Sequence, residues 1–410
     1  MVSTRRAACA AATLGMLLTT AAIAQTNGKT NGPGVTDKEI KIGQTMPYSG
    51  PVSAWSVQGR VDLAYMKRLN AKGGINGRTV KLLSLDDGFS PPKAVERVRE
   101  LVESEKVLGL FGSVGTVPNV AVAKYLNQKK VPHLVTSSAA GVFANPSTYP
   151  WSTAFYMLQP TEATLLARYI LSSKPDAKIG ILYQNDEYGK GYLKPFRDAL
   201  GDRAGKMIVK ESSYDVTDPT VDSQIIELKN SGADTLLNVS TAKFGAQAIR
   251  KVYDLNWKPT HIIVQAISSL DNVLKPAGLE QSKDLISLQF VKFPGDPEWN
   301  DDPAMQEYYA FMKEYAPGET ASDSTAAFAY MTSHLIERIL RNSGNDLSRE
   351  NVLKQATNLK DVELPLLLPG IKVTYSPTDY SPIQQARVSR FDGTKWVRFG
   401  ELISARDKAP

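Results

Sequence analysis

The chain has 410 residues, enough for about two to three ordinary domains, and its 42% hydrophobic and 22% charged residues describe a globular protein, not a disordered or fibrous one. Net charge is +6; Arg5 and Arg6 lie in a first stretch of 24 residues that holds no acid, so the remainder carries +4. No long Lys/Arg cluster gathers that small excess, which argues against a nucleic-acid partner.

Residues 1–24 read as a signal peptide. Arg5-Arg6 form a basic start, Ala7 to Ile23 an apolar run, and Ala22-Ile23-Ala24 a small-x-small cleavage site, so Gln25 begins the exported chain. The run is rich in Ala and Thr and ends in that cleavage site, which disfavours a membrane anchor. No later run is long and apolar enough to span a bilayer. Cys9, the single cysteine, lies in this segment, so the exported chain is expected to carry no disulfide, no lipid-bearing cysteine and no thiol nucleophile. Residues 25–36, rich in Gly, Asn and Thr, read as a flexible lead-in.

Order begins with the alternating Glu39 to Met46, a strand pattern. A turn, Pro47 to Pro51, leads to a helix over 55–71 with apolar spacing through Val57, Val61, Leu63, Ala64, Met66 and Leu69. Glycines at 73, 74 and 77 stop it. A strand over 80–85 runs into Asp86-Asp87-Gly88. Ser90 is a plausible cap, and Pro91-Pro92 open a helix whose buried face is Val95, Val98, Leu101 and Val102.

The most informative stretch follows. An apolar run from Val107 to Phe111 ends in Gly112-Ser113-Val114-Gly115-Thr116; a helix covers 118–128 with Thr116 as its cap. A second run, Val131 to Val135, ends in Thr136-Ser137-Ser138-Ala139. Two parallel strands thus present hydroxyls and free N–H groups at their carboxyl ends, where open α/β sheets bind ligands, beside a helix N-terminus that favours an anion. This reads as half of a site for a small carboxylate.

After an interruption at 145–160 new units begin. Helices are expected over 161–173, from the turn at 184–189 to about 200, and over 221–230 and 243–255, and strands over 178–183, 206–211, 235–239 and 261–264. About eight strand–helix units argue for parallel sheets with right-handed crossovers, in two sets; closure into one barrel is the alternative. The remainder is irregular. It has an extended crossing strand over 283–293, helices over 302–315, 324–342 and 348–357, and strands over 371–375, 385–391 and 396–399.

No catalytic constellation stands out: there is no G-x-S-x-G elbow and no P-loop, and Gly189-x-Gly191 lacks a third glycine. His133, His261 and His334 are far apart, and packing in or at the end of a sheet explains them better than metal ligation. Asp86-Asp87 suit a metal or a general base, but capping at a sheet end is favoured. No metal, cofactor or enzymatic activity is expected.

Taken together, IKIGQTMPYSGP (40–51), LNAKGGINGRTVKLLSLDDGFSPPKAVERV (69–98), GLFGSVGTVPN (109–119), VPHLVTSSA (131–139) and LYQNDEYGKGY (182–192) resemble the periplasmic substrate-binding proteins of ABC importers, in the leucine/isoleucine/valine class. The likeness covers about Asp37 to Gly400; each motif is weak alone, and their order and spacing carry it. The resemblance implies an α/β fold of two Rossmann-like lobes, the type I periplasmic-binding-protein fold, joined by three crossing segments around a ligand cleft. Lobe 1 is then 37–156 plus 290–380 and lobe 2 is 157–286 plus 385–402, with crossings near 155–160, 284–291 and 380–386 and a tail at 403–410. It also implies a monomeric periplasmic receptor that closes on its ligand and hands it to membrane permease subunits. Sensing in a signalling system, or an exported α/β enzyme, are the alternatives.

Carried over by position, the carboxylate-holding groups resemble Thr116 and Ser137, Ser138 and Ala139. Trp55 falls where an aromatic lines the cleft. Tyr188 and Thr241 fall on second-lobe turns. The acidic position that holds a ligand ammonium in this class falls near Gln265-Ala266, where no carboxylate stands. A buried ammonium lacking a counter-charge costs several kcal/mol. The expected ligand is therefore an aromatic or short aliphatic acid, unless Glu280 or Asp271 swings in and an amino acid returns.

Overall fold

A computed structural model describes residues 30–407; the expected signal peptide and its cleavage site lie outside the described residues. The strands, in chain order, are β1 Thr30–Asn31, β2 Glu39–Met46, β3 Thr79–Asp86, β4 Leu110–Phe111, β5 His133–Thr136, β6 Ser152–Ala154, β7 Ile179–Gln184, β8 Ile208–Tyr214, β9 Thr235–Val239, β10 Thr260–Ile263, β11 Ile286–Gln289, β12 Asp346–Leu347, β13 Gln385–Phe391 and β14 Trp396–Ser404. They form two separate large sheets, not a barrel. One has the order β3-β2-β4-β5-β6 and is all parallel. The other has the order β14-β13-β11-β10-β9-β7-β8; it is parallel from β8 to β11, and β13 and β14 then add antiparallel. Helices cover both faces, so central strands such as β9 (TLLNV) are buried along their whole length.

The chain leaves the first sheet after β6, returns after β11 and crosses back before β13. Between the last two passages, helices Pro303–Tyr315 and Ser324–Asn342 pack on helix Val57–Ala71 of the first lobe. That contact carries polar groups as well as apolar ones: Ser333 Oγ donates to Asp62 (2.8 Å) and Tyr65 OH to Glu337 (2.5 Å). Among the described residues no helix is long and apolar enough to cross a membrane.

Several sequence expectations need correction. Residues 30–36 are not a loose lead-in: β1 pairs with β12, Gly32 N–H donates to Leu347 O, and Arg78 Nε donates to Thr36 O. The expected strand over 371–375 is reduced to a single bridge, Val362 to Val373, because its apolar residues are buried without a ladder neighbour. The strand expected from 206 starts at Ile208, since Ala204–Met207 form a helical turn. β14 continues to Ser404, past the expected start of the tail. On helix Pro91–Arg99 and the turn after it, Ala94, Val98 and Leu101 are buried, whereas Val95 and Val102 are half-exposed.

Candidate functional site

Strands β4 and β5 of one sheet and β7 and β9 of the other end in polar turns, and the segments that follow them face each other across a cavity of about 100 Å³. A larger cavity, about 910 Å³, lies on the flank of the first lobe beside Arg68, Lys72 and Arg341. It sits at the C-terminal ends of helices, away from the strand tips, so the inter-lobe cavity is the candidate site.

The first-lobe wall is built around Gly115. Its φ of +104°, and the 2.7 Å from where a Cβ would stand to Phe89 Cε2, leave room for glycine only. Gly115, not Thr116, occupies the cap of helix Thr116–Gln128; Thr116 is its first residue. The reason is the turn itself, which needs a positive φ at the cap. Asn119 Nδ2 closes the turn by donating to Ser113 O and Gly115 O, and its Oδ1 lies 2.8 Å from His133 Nε2. His133 thus braces the wall; burial pushes its pKa down to about 3, so it stays neutral. Ser137 donates its N–H to Ser113 O and accepts from Gln58 Nε2 at 2.6 Å, which leaves its hydroxyl hydrogen free. Trp55 and Phe89 meet edge-on, 6.4 Å apart.

On the second lobe, Asp186 caps helix Glu187–Leu200 by accepting from Tyr188 N and Gly189 N. Tyr188 therefore sits in the first helical turn, not in the preceding loop as expected, and its OH donates to Ser240 O (3.3 Å). Gln265 accepts from Tyr156 OH, and its N–H donates to Glu162 Oε1 at 2.6 Å. Across the cleft, Asn272 Nδ2 donates to both oxygens of Asp323 (3.1 and 3.0 Å), the residue that caps helix Ser324–Asn342. Asn272 packs with the second lobe and Asp323 with the first.

Of the nine residues singled out from sequence, Trp55, Thr116, Ser137, Ala139, Tyr188, Gln265 and Ala266 line the cavity. Ser138 and Thr241 do not. Ser138 Oγ turns inward to Thr116 Oγ1 (3.3 Å), and Thr241 Oγ1 turns to Gln184 Oε1 (3.1 Å), so both hydroxyls are spent behind the wall; Ala242 takes the exposed place. Sequence reading missed Gln58, Phe89, Tyr156, Asn272, Thr325 and Phe328 among others. Asp271 is bound to Lys275 and Ser322, and Glu280 accepts from Tyr253; neither lines the cavity.

No residue lining the cavity carries a charge. Four helix N-termini reach it, through Thr116, Tyr188, Ala242 and Ser324. The ends at Tyr188 and Ser324 are capped by Asp186 and Asp323; those at Thr116 and Ala242 have no side-chain cap, and their N–H groups lend that part of the interior a positive character. Buried acids lie just behind. Burial pushes Asp62 up to about 8 and Glu162 up to about 7. Asp86 and Asp87 serve the turn below Phe89, as capping predicts: Asp86 accepts from Ser49, Gly88 and Lys93, and Asp87 Oδ1 from Phe89 N. Among the described residues no group of three or more His, Cys, Asp or Glu is placed to hold a metal.

Two α/β lobes, three passages between them and a cavity at the strand tips define the type I periplasmic-binding-protein fold. The chain belongs to the periplasmic binding protein family, whose sequence model matches residues 39–395. A Leu/Ile/Val-binding protein homolog 7 of Brucella abortus (strain 2308) is 25% identical over 381 residues, 89% of this chain and 91% of that protein. Among solved structures, a branched-chain amino acid ABC transporter protein from Thermus thermophilus with bound valine superposes with TM-score 0.80 at 15% identity, over 90% of this chain and 97% of that one. A fatty acid ABC transporter substrate-binding protein from Thermomonospora curvata gives 0.76 at 20% identity, over 94% and 98%. The Brucella and Thermomonospora proteins are named as binding proteins.

Proposed function

We propose that the chain is a periplasmic solute receptor, exported with cleavage after Ala24, that delivers a small organic carboxylate without an α-ammonium group to the permease subunits of an ABC importer. The observation that carries the ligand class is the uncharged lining beside two helix N-termini, at Thr116 and Ala242, that no side chain caps. A carboxylate finds N–H and hydroxyl donors there at Thr116 and Ser137. An ammonium touches no carboxylate there, since Asp323 and Glu162 stand behind Asn272 and Gln265, and its burial without a contacting counter-charge costs several kcal/mol. A cavity of about 100 Å³ matches the liquid volume of about three waters, which favours a short acid over a long-chain one. The lobes, 37–156 plus 290–380 and 157–286 plus 385–402, close as a clamp in a monomer, and the closed outer shape is what the permease reads.

A second reading keeps a branched-chain amino acid as ligand. It is favoured by the names of the Brucella relatives and by the valine in the Thermus structure. Isothermal titration of the purified protein with leucine, isovalerate and benzoate separates the two. Binding of an acid with leucine silent is the expected result; tight leucine binding rejects the ammonium-free ligand.

A further inference from the structure

Glu162 stands in the first turn of helix Gln159–Ser173, where the chain enters the second lobe. Its side chain is fully enclosed. Oε1 accepts from Gln265 N–H at 2.6 Å and Oε2 from Tyr192 OH at 2.7 Å. Gln265 lines the cavity, so one residue's thickness separates this carboxyl from whatever the cavity holds. The titratable groups around it are Tyr192 and Tyr188 from helix Glu187–Leu200 and Tyr156 from the crossing segment, with Asp186 beyond Tyr188. All are acids. Among the described residues no Lys, Arg or His perturbs it.

We propose that Glu162 is a positioning residue of the ligand site, which orients Gln265 and takes up a proton from solvent when an anion enters the cavity. The inference rests on the carboxylate reading above. Two negative charges in one enclosed region repel strongly, and no cation stands by to offset the second. The neutral acid keeps both contacts, accepting Gln265 N–H on one oxygen and donating from the other to Tyr192. Burial already brings the group close to neutrality, pushing it up to about 7. Below that pH the carboxyl is protonated and an anion enters without penalty. Above it, binding must first restore the proton, so affinity falls as pH rises. The acid thus sets how tightly an anion is held, while the wall itself stays uncharged.

The test is isothermal titration of the full exported chain with sodium benzoate and sodium isovalerate between pH 5.5 and pH 8.5, where both probes remain ionised. Wild type is expected to weaken on the order of tenfold across that range, through a midpoint near neutrality. At the upper end it should take up a fraction of a proton per ligand, read from the dependence of the heat on buffer ionisation enthalpy. Glu162→Gln should lose the pH slope. Tyr192→Phe removes a hydrogen bond that favours the ionised form, so it should move the midpoint to higher pH. A flat wild-type profile without proton uptake overturns the proposal, and this needs no variant to fold. So does a Glu162→Gln profile that keeps the wild-type slope, which would point to Asp62. If neither acid binds at any pH, the carboxylate reading fails first and this inference with it. Binding with no slope fails the inference alone.

Discussion

Replacing Asp62 with Asn should stabilise the protein at alkaline pH and leave it nearly unchanged in acid. Asp62 is fully buried on helix Val57–Ala71, one turn beyond the cavity residue Gln58. Oδ1 accepts from Ser333 Oγ at 2.8 Å, and Oδ2 lies 3.2 Å from the Gln44 side-chain amide, turned nitrogen-first. Burial raises the group from 3.8 to about 8. The folded protein therefore holds a proton that the unfolded chain has lost, and stability falls as pH rises from about 4 to about 8. Each pH unit in that window is worth about 1.4 kcal/mol. The buried histidines act in the opposite sense: His133 and His261 are pushed down to about 3 and His334 to about 4, so they add stability as pH rises, but only up to about 6.5, where unfolded histidine deprotonates. Between about pH 6.5 and 8.5 the wild type should lose about 2 kcal/mol through Asp62 and under about 1 through Glu162. Asp62→Asn should keep the smaller loss alone, because Asn still accepts from Ser333 and Gln44 can turn its amide oxygen to the new N–H. Thermal unfolding by calorimetry at the two pH values measures the difference, about 2–5 °C in Tm. A variant that melts below wild type at pH 8.5, or parallel pH profiles for the two, refutes the assignment of a neutral Asp62.

Ser137→Ala and Thr116→Val each remove a hydroxyl from the first-lobe wall; each should weaken carboxylate binding roughly tenfold, about 1–1.5 kcal/mol, in titration calorimetry, and unchanged affinity would place the ligand elsewhere. Gly115→Ala forces a Cβ to 2.7 Å from Phe89 Cε2 at a φ of +104° and should cost about 1–3 kcal/mol in urea unfolding; a neutral effect would mean the turn relaxes freely. Asn272→Ala removes the bonds to Asp323 that join the lobes; ligand dissociation should speed up several-fold in stopped flow, and an unchanged rate would mean this bridge does not hold the closed form.

The parts of the fold visible in the sequence are those governed by a local period. Helix Ser324–Asn342 and strand Gln385–Phe391 fall where apolar spacing puts them, to the residue. The strand tips were visible for the same reason, and with them Thr116, Ser137 and Tyr188. What local patterns hide is who stands opposite. Gln58 reads as an exposed polar residue on a helix until the 133–139 segment is laid against it. Phe89 adopts a φ of +60°, which no spacing rule assigns to an aromatic, and it does so because Asp87 Oδ1 holds its N–H in the turn. Asn272, Thr325 and Phe328 come from segments 50 or more residues apart, joined only across the cleft. The direction of a hydroxyl is equally invisible: Ser137 and Ser138 are adjacent, yet one faces the cavity and the other Thr116.

The disposition of charge gives the site a direction. Two helix ends reach the cavity from the first lobe, but they are not equivalent. The end at Ser324 is capped by Asp323, whose carboxylate already accepts from Thr325 N and binds Asn272. That end has its anion. The end at Thr116 is capped by Gly115, which offers no side chain, so its N–H groups have none. A ligand carboxylate is therefore drawn to Thr116 and the neighbouring Ser137, and repelled from the Asp323 side. Its apolar remainder is left to the wall made by Val273, Val291 and Phe328. A second negative charge at that far end would meet apolar surface and the Asp323 carboxylate behind Asn272 and Thr325. An acid with one charged end and one apolar end satisfies both halves of the cavity, and the glycine cap at 115 is what leaves the charged half open.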